Sequence, residues 1–177
     1  MELNQLAVQA TAGDRNAFIG LVKHLENSLY HMAKSIVGKD EDVADALQET
    51  ILKAYKSIHS LREPKFFKTW IFRILINECN TILSSRSRTV VCSELLASSS
   101  HSDDYDKVDL REAVDRLDEK QRIVVILHYF EDLPLRQVAS VLDISESAVK
   151  MRLSRARDTL LKNFKIFREG KMNYGSV

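Results

Sequence analysis

A chain of 177 residues, 45% hydrophobic and 29% charged with a net charge of +1, can form one ordinary domain or two small ones, and its composition excludes wholesale disorder. Five Gly and two Pro are too few for a protein built of hairpins and turns, so an all-α fold is expected. The N-terminus carries no basic segment followed by an apolar run, and no stretch approaches about 18 uninterrupted apolar residues, so we expect neither signal peptide nor membrane span and a cytoplasmic protein.

In chain order, Phe18, Leu21, Val22, Leu25, Leu29, Met32, Ala33 and Ile36 recur at three- and four-residue steps, which predicts a core-facing helix. Asp40 or Asp42 is placed to cap the next helix, whose inner face reads Val43, Ala44, Leu47, Ile51, Ala54 and Ile58. A third helix follows Pro64 and carries Phe67, Trp70, Ile71, Ile74 and Leu75, closing a first block over residues 1–88. Residues 89–108 lose the helical period and include SSSHSDD, a run too polar to offset the entropy of ordering it, so they read as a flexible linker. A second block over 109–168 places Leu110, Val114 and Leu117 on one helix and Ile123, Val124, Ile126, Leu127 and Phe130 on the next, with residues 169–177 as a tail. The expected fold is therefore two small all-α domains joined by an acidic flexible linker.

The segment from Pro134 to Phe164 is patterned as a helix-turn-helix. Pro134 opens a short helix with Leu135, Val138, Ala139 and Leu142 inward, Asp143-Ile144 makes a tight turn, and Ser145 or Ser147 caps a second helix with Ala148, Val149, Leu153, Ala156 and Leu160 inward. The outer face of that second helix carries Lys150, Met151, Ser154 and Arg155, with Arg152 and Arg157 flanking. Between Ser145 and Lys171, eight Lys/Arg stand against three Asp/Glu, a surface suited to phosphates in an otherwise neutral chain. A solvated basic helix explains the charge but not the order of proline, helix, turn, cap and helix. The first block is polarised as well. Asp40, Glu41, Asp42, Asp45 and Glu49 form an acidic run, whereas residues 62–88 hold six Lys/Arg against Glu63 and Glu78.

The motifs DxxQE at 45–49, FxTWxxRIxxN at 67–77, L-x3-QR-x-V-x3-HYFE at 117–131 and VKxRLxRAR at 149–157 follow one another across the linker. In that order they resemble regions two and four of the extracytoplasmic-function (ECF) family of bacterial RNA polymerase sigma factors, over roughly residues 14–165. The resemblance implies a sigma factor that binds core RNA polymerase at the β′ clamp and β flap, reads minus-ten and minus-thirty-five promoter elements, and helps melt the duplex. It also implies an anti-sigma factor as a further partner and a role in stress responses.

By the same resemblance, Asp45, Gln48 and Glu49, with Lys53 and Tyr55 nearby, belong to the helix that docks on the β′ clamp coiled coil. A carboxylate and an amide one turn apart suit cationic side chains on a partner helix. The segment Ser60–Phe67 corresponds to the family loop that receives a base flipped out of the minus-ten element. Such a site needs apolar walls and polar groups, which Leu61, Arg62, Lys65 and Phe66 supply. Family loops often hold small residues where Glu63-Pro64 stands here. Asn77 matches a base-reading position, Asn80 lies one turn later, and Arg73, Arg86 and Arg88 are placed for phosphates. Phe67 and Trp70 read as core rather than stacking platforms, while Phe72 fits either role. The minus-thirty-five candidates are Ser145, Ser147, Lys150, Met151, Arg152, Ser154 and Arg155. In the family the linker threads the RNA-exit path, where Glu94, Asp103, Asp104, Asp106 and Asp109 would mimic RNA. A plain solvated tether fits the same residues.

No HExxH, P-loop or Ser/His/Asp arrangement is present, so no enzymatic activity is expected. Cys79 and Cys92 lack zinc-site spacing and read as reduced thiols, and neither metal nor cofactor is expected. Two rival readings are a DNA-binding regulator whose first block senses a signal or dimerises, and an interaction module that never touches DNA. Dependence on core polymerase separates the first rival, and loss of selectivity on replacing Lys150 and Arg155 separates the second.

Overall fold

The computed structural model describes residues 2–90 and 110–173. Every element within them is helical, and they fall into two compact units. The linker acids from Glu94 to Asp109, and Cys92, lie outside the described residues.

The first unit holds α1 (Glu2–Thr11), α2 (Arg15–Val37), α3 (Asp40–Ser57) and α4 (Phe67–Val90). Helix α1 is an addition to the expected elements. It buries Ala7 and Ala10, with Leu3 and Leu6 half-buried on the same face. It turns into α2 through Gly13, whose φ of 102° requires glycine, and Asp14, whose carboxylate accepts from the backbone N–H groups of Asn16 (2.8 Å) and Ala17 (3.1 Å). Helix α2 buries the expected stripe, Val22 alone being half-buried, and stops at Gly38 with φ 75°.

The inner face of α3 is rotated by about one residue from the expected one. Val43, Ala46, Thr50 and Ala54 are buried, Leu47 and Ile51 only half-buried, and Ala44 is exposed. The helix packs against both α2 and α4, and small side chains at 46 and 54 permit that closeness better than a leucine would. Thr50 tolerates full burial because its hydroxyl donates to the Ala46 carbonyl at 2.6 Å. Neither Asp40 nor Asp42 caps α3. Lys39 occupies the cap position with no side-chain bond, while Asp40 accepts from Lys34 Nζ at 2.7 Å and Asp42 pairs with Arg86. Cations from neighbouring helices outcompete the orphan backbone amides for these carboxylates. The Lys34 hydrogen bond holds the Asp40 carboxyl below its ordinary value.

Between α3 and α4 the chain makes two 3-10 turns, Ile58–Ser60 and Pro64–Phe66, the second opened by the proline. Helix α4 buries Phe67, Ile71, Phe72, Leu75, Ile76 and Cys79, a wide face because it packs on α2 and α3 together. Phe72 has no exposed surface and is core, whereas Trp70 is only half-buried. Burial pushes the Cys79 thiol up to about 12. Arg86, expected at phosphates, instead closes the helix bundle. Its guanidinium pairs with Asp42 and donates to the Val37 carbonyl at 3.3 Å. The Arg88 side chain lies outside the described residues.

The second unit holds α5 (Leu110–Asp115), α6 (Glu119–Val125), α7 (Leu135–Leu142) and α8 (Glu146–Asn173). Asp118 caps α6 by accepting from the Lys120 N–H, and Arg122 Nη1 donates to the carbonyls of Asp115 (2.7 Å) and Leu117 (3.0 Å). Those bonds satisfy the open end of α5. The run from Ile126 to Phe130 winds on as a π-helical turn, and Glu131 N–H reaches back to the Ile126 carbonyl at 3.0 Å. Val114, Leu117, Ile123, Val124, Ile126 and Leu127 are buried as expected. Leu110 and Phe130 are exposed, the wider turn swinging Phe130 off the inner stripe.

Candidate nucleic-acid and partner interfaces

Three surfaces follow from how these helices are turned. On α3, burial of Val43, Ala46, Thr50 and Ala54 sends Asp45, Gln48 and Glu49 into solvent on the opposite face. Leu52, which sequence reading passed over, stands among them with 43% of its surface exposed. Its signal was an apolar residue in phase with the DxxQE polar stripe rather than with the core. Tyr55 and Lys53 sit at opposite edges of this face. The Tyr55 ring meets Phe18 edge-on at 5.2 Å between centroids, and Lys53 Nζ bonds Glu78 of α4 at 2.7 Å. Lys53 is thus engaged within the unit, and the free part of the surface is Asp45, Gln48, Glu49 and Leu52.

The second surface joins the 3-10 turns to α4. Leu61 is half-buried, and Arg62, Lys65 and Phe66 are exposed, Phe66 by 37%. Lys65 Nζ bonds the Glu63 carboxylate at 2.7 Å and stands over the Phe66 ring, 4.9 Å from its centroid. An exposed aromatic ring beside a cation and the carboxylate bonded to it offers apolar and hydrogen-bonding groups together, as an unpaired base requires. Continuing along α4, Arg73, Asn77 and Asn80 are exposed at four- and three-residue steps, which aligns them within about 60° of one another around the helix axis. Trp70 falls on the same stripe, its ring 5.9 Å from Phe67 and half-exposed, so it borders the polar stripe as well as the core.

The third surface is the outer face of α8. The Asp143 backbone has φ 54°, the left-handed region, and turns the chain between α7 and α8. Ser145 then caps α8 with its Oγ accepting from the Ala148 N–H at 3.1 Å. Ser147 lies inside the first turn, exposed. Val149, Leu153 and Ala156 are buried, so Lys150, Met151, Ser154 and Arg155 project outward together, Met151 with 51% of its surface exposed. Arg152 stands about 160° around the helix from Ser154 but only about 60° from Arg155, and is half-buried. It borders their face on the side of the core. Arg157, exposed two residues past Arg155, lies closer to the Lys150–Ser154 line than Arg152 does.

Among the described residues, no three His, Cys, Asp or Glu side chains come together to hold a metal, and no helix is long and apolar enough to cross a membrane.

Comparison with known proteins gives two family matches. Residues 21–89 match Sigma-70 region 2 and residues 107–160 match Sigma-70, region 4. The chain is 32% identical over 134 residues to the RNA polymerase sigma factor SigV of Bacillus subtilis, covering 74% of this chain and 81% of that protein. It is 26% identical over 173 residues to the ECF RNA polymerase sigma-E factor of Haemophilus influenzae, covering 88% and 91%. Among solved structures, the sigma factor RpoE of Bartonella quintana, crystallised with the anti-sigma factor NepR, superposes with a TM-score of 0.70 at 26% identity, over 84% of this chain and 97% of that one.

Proposed function

Since this chain belongs to the ECF family of RNA polymerase sigma factors, we propose that it binds core RNA polymerase and directs promoter-specific initiation through the three surfaces described. It is not an enzyme, because catalysis resides in the polymerase. The exposed α3 face, Asp45, Gln48, Glu49 and Leu52 with Tyr55 and Lys53 at its margins, docks on the β′ clamp. The loop residues Leu61, Arg62, Lys65 and Phe66 receive an unpaired minus-ten base, and Arg73, Asn77 and Asn80 follow the melted strand. Ser145, Ser147, Lys150, Met151, Ser154 and Arg155 meet the minus-thirty-five element, with Arg152 at the edge. Residues 1–88 serve as region two and 109–168 as region four, the latter also touching the β flap. The protein acts in the cytoplasm, where its polymerase is, and an anti-sigma factor restrains it, by analogy with the relative crystallised with NepR.

The observation that carries this reading is the order in which two helical units, one with an exposed acidic α3 face and a polar α4 stripe and one with a capped, outward-basic helix, occur in a chain matched by both sigma regions. In vitro transcription with purified core polymerase and a genomic promoter library tests it. Initiation from a defined promoter set is expected, and replacing Lys150 and Arg155 together by Ala should abolish that selectivity. A chain that fails to associate with core, or that directs no start from any template, refutes the reading.

A further inference from the structure

We propose that α1 is a positioning element for base selection, holding the loop at residues 61–66 in the shape that discriminates among unpaired bases. This rests on the reading of that loop as the minus-ten base receptor. Helix α1 packs not only on α2 but also on both 3-10 turns, Ile58–Ser60 and Pro64–Phe66, that bracket Leu61, Arg62 and Glu63. The turns themselves are held by local bonds. Leu61 N–H donates to the Ile58 carbonyl at 3.1 Å, Phe66 N–H to the Glu63 carbonyl at 3.0 Å, and Ser60 Oγ to the Ser57 carbonyl at 2.6 Å. Local bonds fix the curvature of each turn but not its position on the unit. Position comes from the buried flanks, Ile58 and Phe67, and from α1 as the wall packed against both turns.

That wall is built for close approach and is lightly anchored. Its inner face is Leu3, Leu6, Ala7 and Ala10, and where it crosses α2 it packs at Gly20, the Leu6 methyls lying 3.4 and 3.5 Å from where a Cβ there would stand, an ordinary van der Waals contact. The buried area of two alanines and parts of two leucines makes α1 one of the segments most prone to open locally. Base discrimination requires donors and acceptors held to within about 0.5 Å. A loosened α1 therefore relaxes the loop before it unfolds the unit, and selectivity fails ahead of core binding.

The test uses the full chain assembled with core polymerase and single-stranded minus-ten oligonucleotides carrying each of the four bases at the flipped position. Affinities are read by fluorescence anisotropy and α1 docking by amide hydrogen exchange. Leu6→Ala opens the α1–α2 contact, Ala7→Glu forces a charge into a position with no exposed surface, and Leu6→Met restores volume. Faster exchange in α1 should accompany a fall of about tenfold in the preference for the best base over the worst, comparable to one lost base contact, with core affinity unchanged. Leu6→Met should recover the preference, and Val8→Ala on the exposed side of α1 should leave it intact. Accelerated α1 exchange with undiminished discrimination overturns the inference. So does loss of core binding in every loosened variant, which makes α1 a plain structural helix. Arg62→Ala and Phe66→Ala in the same assay separate the two levels: if neither alters discrimination, the loop is not the receptor, whereas if they do and the α1 variants do not, only the inference about α1 falls.

Discussion

At the scale of single residues, similar arginines do different work because the helix turns each of them to a different neighbour. Arg86 pairs with Asp42 and the Val37 carbonyl inside the first unit, while Arg155 faces open solvent beside Lys150 and Ser154. Arg152 lies between these cases, half-buried on the flank of α8. Arg155→Ala is expected to cost about 1–3 kcal/mol in binding minus-thirty-five DNA and to relax preference at one position, whereas Arg152→Ala changes affinity much less. Gel-shift titrations against a set of single-base promoter variants distinguish them. Cys79 gives a second residue-level prediction. Its folded-state thiol is raised to about 12 by burial, above its ordinary value, so the neutral thiol contributes stability at neutral pH. That contribution is lost as pH rises through the ordinary thiol value towards about 12. In a Cys92→Ser chain, alkylation at about pH 8 should be negligible when folded and rapid in denaturant. The urea midpoint should fall between about pH 8 and 10, and fall less in a Cys79→Ala chain.

At the scale of elements, the turn between α7 and α8 holds a non-glycine residue in left-handed geometry, which costs roughly 1 kcal/mol relative to glycine. Asp143→Gly should therefore raise the unfolding midpoint of the second unit, Asp143→Val should lower it, and Ser145→Ala should cost about 1 kcal/mol through loss of the α8 cap. Thermal unfolding followed by circular dichroism measures all three. A midpoint unchanged by Asp143→Val would mean that the turn is not fixed in the observed geometry. Helix α3 carries a related lesson. The same eighteen residues present a core stripe and a docking stripe, and the boundary between them is set by small residues at 46 and 54 rather than by the larger apolar side chains.

At the scale of the whole molecule, the proposed function requires two units on one chain to read two DNA elements at the same time. Inserting about five base pairs between the elements turns them to opposite sides of the duplex, since B-DNA repeats every 10–10.5 base pairs or so. Initiation should fall far more from that insertion than from one base change in either element, as run-off transcription would report. Equal losses would argue that only one unit contacts DNA.

Much of this was legible in the sequence. The α2 stripe, the helix-turn-helix with its Ser145 cap and the outward face of α8 follow from three- and four-residue periodicity and capping chemistry, which are local properties. The family motifs pointed to the loop and to the α4 residues that are proposed to meet the minus-ten element. What the sequence could not decide depends on distant partners. The rotation of α3, the assignment of Asp42 and Arg86 to each other, the burial of Phe72 and the half-exposure of Trp70 all depend on which helices lie alongside. So does the placement of α1 against the 3-10 turns, a contact between residues some fifty positions apart. A helical period states that a face will be buried, but only packing against particular neighbours determines where that face begins and which charges are enclosed with it.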